Sequence, residues 1–136
     1  MRNTRMNYTN LALLLLRIVI GLMMIFGHGW GKLMKVIDGN WAFPEMMGIP
    51  SQISLILAVL IEVGCSILLI LGYKTRWVAA FLFLIMVSAL LFIHGNDPLF
   101  IAHANGGGSK ELAILYGVVY LTLGLAGGGK YGLSKA

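Results

Sequence analysis

Residues 16–32 read Leu16-Arg17-Ile18-Val19-Ile20-Gly21-Leu22-Met23-Met24-Ile25-Phe26-Gly27-His28-Gly29-Trp30-Gly31-Lys32. On a regular helix each position advances by about 100°, so Arg17, Gly21, Met24, His28 and Lys32 fall on one narrow face. The remaining faces are too apolar to be wetted. That polar face is therefore expected to point into a protein interior, with the rest of the chain arranged around it.

Composition supports a membrane setting. Of 136 residues, 59% are hydrophobic and only 11% charged, against about a quarter charged in an ordinary soluble domain. The net charge of +5 is spread along the chain without an aromatic-interleaved basic patch, which argues against a nucleic-acid partner. In a membrane protein the same excess sets orientation. Cys65 is the single cysteine, so neither an intramolecular disulfide nor a CxxC redox pair exists. Three residues after Glu62, it reads as a small apolar residue facing a neighbouring helix.

Four apolar runs occupy most of the length, and the chain reads as one domain over residues 1–136. The expected spans are about residues 11–31, 51–72, 77–94 and 110–126, each near the length that crosses a hydrocarbon core. The basic start with Arg2 and Arg5 has the flavour of a secretory signal. The run that follows outlasts a signal core and no small-x-small site follows it, so a retained first span is expected. Between the first two spans, Trp41, Phe43, Pro44 and Met46-Met47 suggest a segment at the membrane interface or folded back over the bundle. Pro50-Ser51 suits the start of the second span. Tyr73-Lys74-Thr75-Arg76-Trp77 is a turn so short that spans two and three must be antiparallel neighbours. Ser109 is the expected N-cap of span four, and Gly127-Gly128-Gly129 its stop.

The fold class that follows is all-α, an integral membrane four-helix bundle. With four spans both termini share a side. Arg2, Arg5, Lys74, Arg76, Lys130 and Lys135 lie on it, against Lys32, Lys35 and Lys110 opposite. That bias places the N and C termini in the cytoplasm and the longer loops outside.

Two ionisable residues fall inside the spans. An ionised side chain there costs several kcal/mol unless paired or facing a wet cavity. Counted from Thr9-Asn10, Arg17 lies roughly 10 Å deep, and Glu62 lies about 15 Å from Gly72. Long side chains bridge that difference, so an Arg17–Glu62 ion pair is expected. It serves either as helix–helix glue or as a proton step.

A second group converges near the outer surface. His28 and Lys32 close span one, His94 closes span three and Glu111 opens span four. Asp97 and His103 are able to join them from the loop. Such a cluster on three helices points to a pocket. The catalytic candidates are His28, His94 and Glu111, and the substrate-binding candidates Lys32, His28 and His94. Each has a plainer explanation as a capping or interface residue, and Glu111 at a helix N-terminus is favoured by the dipole alone. The three histidines lack HxxxH or HExxH spacing, so no metal site is expected. The glycine triplets lack the frame of a phosphate loop.

The motifs Leu15-Leu16-Arg17, Gly27-His28-Gly29 with Lys32-Leu33, Glu62-Val63-Gly64, Leu71-Gly72-Tyr73-Lys74-Thr75-Arg76 and His94-Gly95 occur in this order. Gly106-Gly107-Gly108 before Glu111-Leu112-Ala113-Ile114-Leu115-Tyr116 and the ending Gly127-Gly128-Gly129-Lys130-Tyr131-Gly132-Leu133-Ser134 complete the set. Together they resemble the DoxX family of small four-span bacterial membrane proteins, over about residues 11–133. The resemblance implies a multi-pass protein of the bacterial cytoplasmic (inner) membrane linked to redox chemistry. Relatives include the membrane subunit of thiosulfate:quinone oxidoreductase, and others are proposed to tie thiol-handling enzymes to the membrane.

The function expected is a membrane subunit or module of an oxidoreductase system, with an outer pocket for a quinone or a small, sulfur-type anion. His28 and His94 would exchange protons with a quinone or hydrogen-bond its carbonyl. Lys32 would attract an anion, and Glu111 would orient a histidine. A non-catalytic scaffold that recruits redox enzymes, and a small oligomeric transporter or proton pathway, are the alternatives. Expected partners are the lipid bilayer and redox-enzyme subunits, with a homo-oligomer left open.

Overall fold

The structure, a computed structural model, describes residues 2–134, with the Arg2 side chain outside the described set. Four helices are built in order: α1 Asn3–Ile37, α2 Ser51–Leu71, α3 Thr75–Ile93 and α4 Glu111–Ala126. Among the described residues there is no β-strand, only an isolated bridge between Met46 and Ile49. The first three helices are long and apolar enough to cross a membrane; α4 is shorter, at 16 residues. It is one residue shorter than the expected span of 110–126, beginning at Glu111, and it ends as expected where Gly127, at φ +80°, leaves the helix.

The core is apolar and lies along the bundle axis. Met24, Leu69, Ala79, Leu82, Tyr120 and Leu123 are fully buried in it. The outward faces are equally apolar: Phe26, Trp77, Leu84, Leu115 and Leu125 are all more than half exposed. A water-soluble bundle does not tolerate apolar side chains all round, whereas a bilayer requires them. The faces thus supply in three dimensions what the low charge content indicated in one.

Three of the four helices contain one opened, π-type turn, at Ile25–Gly29, Leu60–Cys65 and Ala89–Ile93. Such turns add a residue to the helix and are frequent at functional sites. The first contains His28, the second Glu62, and the third ends at His94. The opened turn at Ile25–Gly29 also breaks the regular 100° progression that placed Arg17, Met24, His28 and Lys32 on one strict line.

Helix ends differ from the sequence expectation in informative ways. The first helix runs well beyond 11–31 at both ends, so the connector shrinks to residues 38–50. Its Phe43, Pro44 and Met46 fold back against the bundle. Ser109 makes no capping bond to α4; it is buried, and Lys110 occupies the cap position instead. Gly72 ends α2 in the left-handed conformation, φ +70°, which glycine adopts without penalty.

The end of the bundle that carries both termini is laced together by backbone. Leu133 N–H donates to Leu71 O (3.1 Å) and Ser134 N–H to Gly72 O (3.2 Å). Lys74 N–H donates to Ser134 Oγ at 2.7 Å, and Lys130 N–H to Asn10 Oδ1 at 2.9 Å. The segment after the glycine triplet is thus a strap across the helix ends. Of the charges that orient the chain by sequence, the Arg2 side chain and Lys135 lie outside the described residues.

Candidate functional site

The expected Arg17–Glu62 pair does not form. Arg17 is fully buried and donates instead to three carbonyls, Leu69 O and Ile70 O at 3.2 Å and Tyr131 O at 2.8 Å. The last turn of α2 has unsatisfied carbonyls and a partial negative charge, so a guanidinium there is both hydrogen-bonded and electrostatically favoured. The difference comes from the points at which depth is counted. The first helix begins well before Thr9, so Arg17 sits level with the end of α2 and not with its middle. Register is set by close approach: a Cβ on Gly21 would meet Ile70 at 2.5 Å, and one on Gly29 would meet Val63 at 2.7 Å. Those two contacts bring Glu62 opposite the other end of α1.

Glu62 therefore pairs with Lys32. The ammonium donates to both carboxylate oxygens at 2.6 Å, with 22% of the Lys32 side chain and 5% of the Glu62 side chain exposed. The pair stands at the wall of a cavity of about 550 Å³, lined also by His28, His94, Lys35 and Tyr116. Apolar side chains from α2, α3 and α4 complete it, among them Ala58, Met86, Ile93 and Leu112. The two loops add to its wall at the end opposite the termini, Phe43 and Pro44 from one and Ile101, Gly108 and Ser109 from the other.

Of the residues singled out from the sequence, His28, Lys32 and His94 meet at this cavity. Glu111 does not line it. Its carboxylate accepts the Ile101 N–H at 3.2 Å and so pins the loop that covers the cavity. The residue that orients a histidine is Asp97, whose Oδ2 lies 2.6 Å from His94 Nδ1. With Nδ1 committed to the carboxylate, Nε2 is the nitrogen left for a ligand. His103 stays in the loop, its ring edge-on to Phe100 at 6.3 Å between centroids.

Sequence reasoning misses two members of the site. It gives Glu62 to the wrong cation. It passes over Tyr116, although a hydroxyl-bearing ring inside an apolar helix is a usable signal. That ring stands perpendicular to the His28 ring at 5.2 Å between centroids and next to Tyr120 at 6.0 Å. Among the described residues no three His, Cys, Asp or Glu side chains gather closely enough to hold a metal ion.

The DoxX family model matches residues 12–95, which takes in Arg17, His28, Lys32, Glu62 and His94. The chain belongs to the DoxX family. An uncharacterised protein of Haemophilus influenzae is 37% identical over 139 aligned positions, covering 98% of this chain and 96% of the relative. The similarity of this DoxX chain to that protein thus runs through α4 and the strap as well. No solved structure matches it significantly.

Proposed function

We propose that this DoxX protein is the membrane module of an oxidoreductase system, and that its cavity receives the head group of a quinone. The observation that carries the reading is the state of Lys32. Both oxygens of Glu62 already neutralise its ammonium, so a small anion would have to displace a carboxylate to use it. A neutral ring has no such competitor. The mainly apolar lining suits the faces of that ring, and a few convergent polar groups are what such sites use for orientation.

In this reading His94, held by Asp97, bonds one quinone carbonyl through Nε2, and His28 faces the other. Two electrons delivered by a partner subunit and two protons convert the quinone to its quinol, and the histidines pass the protons to the carbonyl oxygens. Lys32–Glu62 keeps its part of the wall polar without a net charge, and the other lysine of the lining, Lys35, donates to the Ala42 carbonyl at 3.0 Å. In this reading the chain crosses a bacterial inner membrane four times, and the positive-inside bias supports cytoplasmic termini with the cavity at the outer face.

The test is binding of a water-soluble benzoquinone to purified protein, wild type and with His28→Ala and His94→Ala. Each substitution is expected to weaken binding about tenfold, the worth of one buried hydrogen bond to a ligand. Undiminished binding in both variants removes the histidines from the site. Absence of binding in wild type removes the quinone and leaves the recruiting scaffold, for which co-purification with a redox enzyme is the measurement.

A further inference from the structure

A second concavity, shallow and also about 550 Å³, opens on the flank of the bundle between α1 and α4. Met23, Phe26, Gly27 and Leu112 line it together with His28 and Tyr116. His28, Tyr116 and Leu112 also line the main cavity. The two spaces therefore adjoin across a thin wall of three side chains, in which the His28 and Tyr116 rings meet edge to face and Leu112 stands beside them. Met23, Phe26 and Leu112 are all strongly exposed, on faces that would meet lipid.

We propose that this groove is a lateral portal and tail seat. A membrane-dissolved amphiphile enters between α1 and α4, its head passes the His28–Tyr116 partition, and its linear apolar tail stays in the groove. The inference rests on the reading of the cavity as a head-group site and names the source of the ligand as the bilayer. Three observations support it. The groove adjoins the cavity across the three side chains they share, His28, Leu112 and Tyr116. Its own lining is apolar, which suits a hydrocarbon tail and not a solute arriving from water. At the loop end both loops contribute to the wall of the cavity, the second one pinned by Glu111 and by the His94–Asp97 pair, so a head group coming from the flank needs no loop to move.

Gly27 makes the idea testable. A Cβ there meets nothing within 4 Å, so a side chain can start from this position without a backbone clash and extend over the groove. Wild type, Gly27→Leu and Gly27→Trp would be placed in phosphatidylcholine nanodiscs. Binding would be measured for a dimethoxy-methyl-benzoquinone without a tail and for the same ring with a decyl tail, relative to the membrane concentration of each probe. Wild type is expected to hold the tailed probe about tenfold or more tighter, since only a few buried methylenes suffice for that. Both variants are expected to lose this advantage while binding the tail-less ring as wild type does, which also reports that they are folded. Equal loss of both probes, or retention of the tail advantage in both variants, overturns the portal and leaves the cavity reading standing. Failure of the tail-less ring to bind wild type overturns the cavity reading, and the portal with it.

Discussion

Lys32 and Glu62 lie thirty positions apart in the chain, yet the lysine ammonium donates to both oxygens of the glutamate at 2.6 Å. The contact ties the far end of α1 to the opened turn of α2 and forms part of the cavity wall. Its partners were desolvated together, so neither can be removed alone without exposing the other to an apolar surrounding.

The first prediction follows from that coupling. Lys32→Met leaves Glu62 buried without a counter-charge and is expected to cost about 3 kcal/mol, the low end for such breaks because one flank of the lysine is open. The double variant Lys32→Met, Glu62→Leu is expected to regain most of it, since an apolar pair of similar volume replaces the ions. Unfolding in detergent, read as a double-mutant cycle, checks this. Additive losses would show that the two residues act separately.

Arg17 is expected to behave differently, because its partners are carbonyls on two segments. Lysine keeps the charge but lacks the fork that reaches Leu69, Ile70 and Tyr131 together. Arg17→Lys should cost about 2 kcal/mol and loosen the strap. Limited trypsin digestion at Lys130, faster in the variant than in wild type, is the measurement. Equal cleavage rates would mean that the backbone bonds at Leu133 and Ser134 hold the strap unaided.

Asp97→Asn should act on His94 without touching the ligand. The amide keeps a hydrogen bond but no longer favours one ring tautomer through its charge. Benzoquinone affinity is expected to fall about fivefold to tenfold, with the nitrogen-15 shifts of the His94 ring moving towards a mixed tautomer. A fall in affinity with unchanged ring shifts would place Asp97 in the loop's structure only.

Gly72→Ala combines two penalties. The left-handed backbone disfavours any side chain there, and an added Cβ would collide with the Arg17 guanidinium and approach Gly132 to 2.6 Å. The loss is expected to exceed about 2 kcal/mol, with Arg17 displaced. Gly27→Ala provides the contrast: in open space within a helix it should be neutral or slightly stabilising. Thermal unfolding of both variants in one detergent compares them directly.

Much of this protein is legible in its residues alone. The apolar runs, the short turn at residues 73–77 and the ordered DoxX motifs specify an all-helical membrane bundle, because composition and helical period act locally. His28, Lys32 and His94 fall near one level for the same reason, since they stand at the polar ends of apolar runs in an antiparallel arrangement. Asp97 reads in the sequence only as a loop residue able to join them, and Glu111 takes there the orienting role that Asp97 holds in the fold. The loop's path between His94 and Glu111 decides that exchange, and no periodicity encodes a loop's path.

Partner choice within the bundle is the part that only tertiary structure decided. Arg17 and Glu62 look like a pair when depth is counted from the polar edges of the apolar runs. Helix register is set elsewhere, by the close approach of Gly21 and Gly29 to α2. A shift of a few residues along a helix carries a side chain by a turn or more, enough to trade one counter-ion for another. The opened turns that carry or adjoin His28, Glu62 and His94 add to this, because an extra residue in a turn leaves no mark on hydropathy yet changes every direction after it. The sequence by itself determined that buried charges must find partners; the packing of α1 on α2 determined which.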